Sequence, residues 1–234
     1  MTIIKYIALL TFVTFLLSCS AENSIPNTES PTPKNYKYLA LGDSYTIGQS
    51  VCATCRFPIQ LKDSIGKYLN IADTFQVQII ATTGWTTTNL KSAIATENPT
   101  NDYNLLTLLI GVNNQYQHKA FSLYEQEFPE LVTTAVQKAK GDKNNVIVVS
   151  IPDYAYTPFG GGNATISAAI DNYNTFAENY CNANTITFIN ITDIARLGLA
   201  QPELVTTDGL HPSALAYAKF VQRLLPKARI KIAD

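Results

Sequence analysis

The sequence predicts an α/β fold with a five-stranded parallel sheet covered on both faces by helices. Three observations carry that expectation. Short apolar runs alternate five times with longer segments of helical periodicity. The fourth run, Val146-Ile147-Val148-Val149-Ser150-Ile151, has the β-branched composition of a strand buried on both faces. Small and polar residues suited to turns follow the ends of the runs. Repeated strand–helix alternation requires crossover connections, which make the strands parallel and place helices on the two faces.

In chain order, Tyr36–Leu41 is a short apolar strand, and Phe57–Leu69 is a helix whose face carries Ile59, Leu61, Ile65 and Leu69. Phe75, Val77, Ile79 and Ile80 mark a strand over Thr74–Ala81, and a helix follows over Thr87–Thr96. Tyr103–Val112 is a nearly continuous apolar run, ending near Gly111. Phe121–Lys140 is helical, with Pro129 marking a kink or a second start. Val146–Ile151 is the fourth strand, Gly160-Gly161-Gly162 opens a loop, Ile166–Asn182 is a helix and Thr185–Ile191 is the fifth strand. The last helix is expected to begin at His211-Pro212, with His211 as its cap and Pro212 at its first position. Ligands of parallel sheets sit beyond the carboxyl ends of the strands. Ser44, Gly84, Asn113, Asn114 and Asp153 all follow those ends, so the fold should gather them on one rim.

The 234 residues are 46% hydrophobic and 15% charged, with a net charge of −1. No block of Lys or Arg is present, which argues against nucleic acid as a partner. Lys5 precedes the apolar stretch Tyr6–Leu17, which suits a signal-peptide core and falls short of the ~20 residues that span a bilayer. The stretch ends in Leu16-Leu17-Ser18-Cys19, which resembles a bacterial lipobox. That resemblance implies a lipoprotein signal peptide over 1–18, cleavage before Cys19 and acylation of Cys19. The protein would then be anchored in the cell envelope, facing the periplasm or the exterior. Residues 19–35 include three prolines and a single large apolar residue, Ile25, and read as a flexible tether. Residues 36–234 are left as one folded domain, expected to be monomeric.

Three cysteines remain beyond Cys19. Cys52 and Cys55, in Cys52-Ala53-Thr54-Cys55, can close a small ring worth roughly 2 kcal/mol at most by loop entropy. A free thiol pair and a redox or metal site are the alternatives. Cys181 lies in a helical stretch and reads as a buried thiol.

Two short words carry the chemistry. Gly42-Asp43-Ser44-Tyr45-Thr46-Ile47-Gly48 follows the first strand, and Asp208-Gly209-Leu210-His211-Pro212 precedes the last helix. Ser44 supplies a hydroxyl nucleophile, which needs a base. His118 and His211 are the two histidines of the chain. His211 is the better base, because Asp208, three residues earlier, can hold Nδ1–H and leave Nε2 to accept the Ser44 proton. The backbone N–H groups of Ser44 and Gly84 and the side-chain amide of Asn113 are candidate oxyanion donors. Asp43 and Asp153 read as supports for local backbone, and His118 as a solvated loop residue. Trp85, Tyr154 and Tyr156 are candidates to line the pocket.

These words, in this order, resemble the SGNH (GDSL) hydrolase family. Ser44 matches its first block, Gly84 the second, Asn113 the third, and Asp208 with His211 the fifth; the likeness spans about residues 37–226. The resemblance implies a flavodoxin-like three-layer α/β/α sandwich with strand order 2-1-3-4-5. It also implies hydrolysis of carboxylic esters through an acyl-serine intermediate, with no metal or cofactor. The third block usually ends Asn-Asp, whereas this chain has Asn113-Asn114. No Gly-x-Ser-x-Gly word is present, which argues against an α/β-hydrolase elbow.

The substrate classes open to such a chain are small-molecule, glycan and lipid esters. The lack of a long apolar lid favours short acyl or acetyl esters. Two other readings stay open at the level of sequence. One is a non-catalytic surface module that binds glycan or envelope polymer through Tyr-rich loops. The other is a thiol oxidoreductase at Cys52 and Cys55.

Overall fold

Five strands form one parallel sheet in the order β2-β1-β3-β4-β5. They are β1 (Asn35–Gly42), β2 (Thr74–Ala81), β3 (Leu105–Leu109), β4 (Val146–Val149) and β5 (Thr187–Ile189). This computed structural model describes residues 32–232, so the expected signal peptide and the lipidation call at Cys19 lie outside the described residues. The helices are α1 (Ser44–Ile47), α2 (Phe57–Gly66), α3 (Thr87–Glu97), α4 (Val112–Tyr116), α5 (Phe121–Lys138), α6 (Ala164–Ala183), α7 (Thr192–Ala195) and α8 (Ala214–Ile230). Helices α2 and α8 pack together on one side of the sheet, and α3, α5 and α6 form a row on the other. The expected α/β/α sandwich and strand order are therefore observed.

Burial explains why the central strands read as unbroken apolar runs. Every residue of β3 and β4 is buried, because helices cover both faces. The one polar residue of β3, Thr107, is satisfied by the Tyr38 hydroxyl at 2.8 Å. Edge strand β2 alternates in exposure instead, as one open flank allows.

Three local expectations need correction. The third strand stops at Leu109 because Gly111 turns the chain at a φ of 132° and Val112 already begins α4. Pro129 neither ends nor restarts its helix: α5 runs through it. Tyr124 and Phe128 before the proline and Leu131 and Val132 after it are all buried, so the packed face continues across it. His211 is not the cap of the last helix. Ser213 is, its hydroxyl accepting from the Ala216 N–H at 3.3 Å. Residues 211–213 are held extended instead. The Thr206 N–H donates to the His211 carbonyl, the Ser213 N–H donates to the Leu204 carbonyl, and Val205 bridges Pro212 in an antiparallel pair.

The strand order places a topological switch point between β1 and β3, from which the chain leaves in opposite directions. The tips of these two strands carry Ser44 and Asn113.

Candidate active site

The nucleophile candidate sits on a turn whose glycines are required by space. A Cβ on Gly42 would lie 2.4 Å from the Leu109 carbonyl oxygen and 2.1 Å from Thr46 Oγ1, so only glycine lets β1 and β3 meet here. Asp43 caps α1, accepting the Tyr45 N–H through Oδ1 at 3.0 Å. Its other oxygen, Oδ2, is buried without a hydrogen-bond partner, as is nearby Thr46 Oγ1. Burial pushes the Asp43 carboxyl up to about 7, against the Tyr45 N–H and the Asn113 amide, which favour the charged form. The Asn113 amide acts here without meeting hydrogen-bond geometry. Asp43 is therefore the local support that its sequence context suggests.

The imidazole comes from a tight hairpin. The Gly209 N–H donates to the Thr206 carbonyl at 3.0 Å, and Gly209 takes a φ of 72°. The Asp208 carboxylate organises this turn. Oδ1 accepts from the Thr206 hydroxyl (2.7 Å), the Leu210 N–H (2.8 Å) and the His211 N–H (2.9 Å). Oδ2 lies 2.7 Å from His211 Nδ1 and accepts the Ser50 hydroxyl at 2.6 Å. Burial works to raise the Asp208 carboxyl, but the bonds from Ser50, the His211 N–H, Thr206 and the His211 ring outweigh it and hold it well below the usual carboxylate range. A carboxylate at Nδ1 fixes the proton there and leaves Nε2 as an acceptor. The imidazole packs beside the Tyr45 ring, with centroids 5.5 Å apart.

Ser44, Gly84, Asn113 and His211 line one open cavity of about 190 Å³. Tyr45, Thr83, Val112, Tyr116, Tyr154, Phe159 and Leu210 complete its wall. Tyr116, Tyr154 and Phe159 form an aromatic cluster with centroids 6.0–6.3 Å apart. Tyr116 and Phe159 are half exposed at its mouth. Four of the five candidate reacting residues thus share a cavity, and Asp208 stands behind His211.

The oxyanion side is built on backbone. Gly84 has a φ of 84°, a left-handed conformation that favours glycine, although a Cβ there would meet open space. Its carbonyl accepts from Gln117 Nε2 at 2.8 Å, and the Trp85 carbonyl accepts from Asn113 Nδ2 at 3.0 Å. The Asn113 amide thereby anchors the loop while the residue lines the cavity. Behind it, buried Asn114 accepts the Thr87 N–H (3.0 Å) and donates to Thr87 Oγ1 (2.7 Å). Thr87 in turn donates to buried Glu127 at 2.5 Å. An aspartate at 114 could accept but not donate, so the departure from the usual Asn-Asp word has a structural use in this chain.

Other residues singled out in the sequence lie elsewhere. Asn114 and Asp153 also follow strand ends but sit behind the cavity. Asp153 is fully buried and bonded to Arg196, Ser167 and the Ala155 N–H. His118 is exposed, with a φ of 53°. Trp85 is half-buried outside the cavity wall, and Tyr156 lies under the Arg196 guanidinium. Cys52 and Cys55 are joined by a disulfide, and burial pushes the Cys181 thiol up to about 12. Sequence reasoning missed Ser50, Thr206 and Glu127. Thr206, two residues before Asp208, carries a weak side-chain turn signal, while Ser50 and Glu127 carry none.

Comparison with known proteins places the fold and the family. The model of the GDSL-like lipase/acylhydrolase family matches residues 40–219. No curated protein matches the chain in sequence. A member of the lipolytic G-D-S-L family from Veillonella parvula superposes with a TM-score of 0.64 at 13% identity, covering 82% of this chain and 97% of its own. An acetylxylan esterase from Geobacillus stearothermophilus gives 0.62 at 16% identity, covering 84% and 95%. A psychrotrophic esterase from Pseudoalteromonas, in a structure inhibited by monoethylphosphonate, gives 0.58 at 14% identity, covering 85% and 99%. With the family match spanning both chemical words and the sheet order of that fold, the chain belongs to the GDSL-like lipase/acylhydrolase family and is a carboxylic ester hydrolase.

Proposed function

We propose that this ester hydrolase works through Ser44 as nucleophile, His211 as general base and Asp208 as the group that orients it. The observation that carries this reading is the 2.7 Å contact between Asp208 Oδ2 and His211 Nδ1, with His211 and Ser44 lining one cavity. His211 Nε2 takes the proton as Ser44 Oγ attacks the ester carbonyl. The oxyanion is received by the Ser44 and Gly84 N–H groups and the side-chain amide of Asn113. The imidazolium then protonates the departing alcohol, leaving an acyl-serine. Water, deprotonated by the same imidazole, releases the acid. Substrate binds by its uncharged part: the cavity wall is mostly apolar and its mouth is aromatic. Its modest volume supports short acyl or acetyl esters, including acetylated sugars that could stack on Tyr116 and Phe159.

Ser44→Ala should abolish turnover of p-nitrophenyl acetate and labelling by a fluorophosphonate, with the melting temperature kept. Residual turnover above about a thousandth of wild type would exceed what positioning and the oxyanion site alone supply, and would remove Ser44 from the mechanism. A chain-length series from acetate to palmitate reads the acyl preference directly, and a maximum at palmitate would overturn the short-acyl reading.

The same chain is proposed to work at the envelope, tethered by acylated Cys19. Lys5, the apolar stretch and Leu16-Leu17-Ser18-Cys19 support this. Expressed in a bacterial host, the full chain should take up labelled palmitate and fractionate with membranes, and Cys19→Ala should do neither. Equal labelling of both proteins would sink the anchor.

A further inference from the structure

Among the described residues, one side-chain hydrogen bond joins the turn that carries Ser44 to the loop that carries His211, outside the proton path. After α1 the chain reverses twice. Gly48 takes a φ of 74° and Ser50 one of 65°, and the Val51 N–H donates back to the Gly48 carbonyl at 3.3 Å. The double reversal delivers Ser50 Oγ to Asp208 Oδ2 at 2.6 Å, on the oxygen that also faces His211 Nδ1. The remaining Asp208 partners, Thr206, the Leu210 N–H and the His211 N–H, all belong to the loop itself. Ser50 is supplied from the nucleophile's own segment, across 158 residues of sequence.

A left-handed φ is uncommon for serine, so the surrounding chain must hold it. Two residues on, the Cys52–Cys55 disulfide closes a 3-10 turn at Ala53–Cys55. Gln60 Nε2 then links the Cys55 carbonyl (2.5 Å) to the Ala214 carbonyl (3.2 Å), at the start of α8 and three residues past His211. The stapled turn therefore touches the acid–base loop on both of its flanks.

We propose that Ser50 is a positioning residue for ester cleavage, clamping the Asp208 carboxylate against His211 in register with Ser44, and that the Cys52–Cys55 staple holds Ser50 in place. The inference rests on the assignment of Ser44, His211 and Asp208 to the reaction. A hydroxyl-to-carboxylate bond is charge-assisted and therefore strong. Asp208 has a side chain 30% exposed, so without Ser50 water competes for Oδ2 and the hairpin loses its tie to the Ser44 turn. Ser50 also draws off part of the negative charge on Oδ2.

The test uses Ser50→Ala and Ser50→Gly, the glycine variant accepting the left-handed φ without the hydroxyl. In both, kcat should fall about tenfold with KM little changed. By NMR, the downfield proton resonance of the His211 Nδ1–H···Asp208 hydrogen bond should move upfield and exchange faster with water in both variants, as the contact loosens. The NMR reading stands whether or not Ser44 is the nucleophile, so failure here is distinct from failure of the proposed mechanism. Reducing the disulfide of the wild type with a phosphine should reproduce both changes and add nothing in Ser50→Ala. If Ser50→Gly keeps wild-type kcat, or the Nδ1–H resonance keeps its position and exchange rate, the clamp is overturned. If reduction slows Ser50→Ala as much as wild type, the staple acts by another route and that part falls.

Discussion

Asp43, on the Ser44 turn, and Asp208, on the His211 loop, are two aspartates of one site treated in opposite ways. Asp43 is fully buried, has one backbone donor and keeps an oxygen with no partner, so burial pushes its carboxyl up to about 7. Asp208 is partly exposed and gathers contacts from Ser50, Thr206, two backbone N–H groups and the imidazole, which hold it well below the ordinary range against burial. The difference fits the roles proposed for them. An anion that steadies an imidazolium must stay charged at neutral pH, which takes donors. A helix cap needs one lone pair and works in either protonation state. Proximity to a nucleophile therefore says little about an aspartate's role, and its count of donors says more.

The largest effect should come from removing the charge that Asp208 brings. Asp208→Asn keeps the shape but loses the acceptor that fixes the Nδ1 proton, and kcat should drop by about 10⁴ with KM nearly unchanged. A loss under tenfold would mean that the loop backbone alone orients His211, and the contrast between the two aspartates would lose its functional meaning.

Much of this arrangement is legible in the sequence because it is tied to strand ends. Ser44, Gly84 and Asn113 follow β1, β2 and β3 directly, so the alternation of apolar runs already gathers them on one rim. Asp208 and His211 are legible for a different reason: three residues of separation in a Gly-containing turn let a carboxylate reach the ring. What stays hidden is set by long-range contact. Both His211-Pro212 and Ser213 can open a helix locally, and only the pairing of residues 204–206 with 211–213 decides for Ser213. Ser50 is likewise invisible, because its approach to Asp208 depends on left-handed backbone at Gly48 and again at Ser50, and only the first is marked by a glycine. Asn114 reads as a lost charge in the sequence, and its use becomes visible only with Thr87 opposite it.

The smaller effect concerns Asp43, and its sign is opposite to that of Asp208. Its folded-state carboxyl titrates near 7, above its unfolded value near 3.8, so the fold binds the proton more tightly than the unfolded chain does. The stabilisation is complete below about pH 4 and is lost as pH rises through 7. Asp208 runs the other way, stabilising the fold above the ordinary carboxylate range and failing only in strong acid. Asn at position 43 can still cap α1 and places an N–H₂ where protonated Asp43 carries its O–H. Asp43→Asn should therefore leave kcat within about threefold of wild type, since asparagine caps as well as aspartate. Its melting temperature at pH 8 should exceed the wild type's by about 3–8 °C, and the difference should close as pH falls to about 4. Equal melting temperatures at both pH values would mean that Asp43 keeps its charge in the fold, so that Asn113 and the Tyr45 N–H suffice to hold a buried carboxylate and donor count would no longer separate the two aspartates.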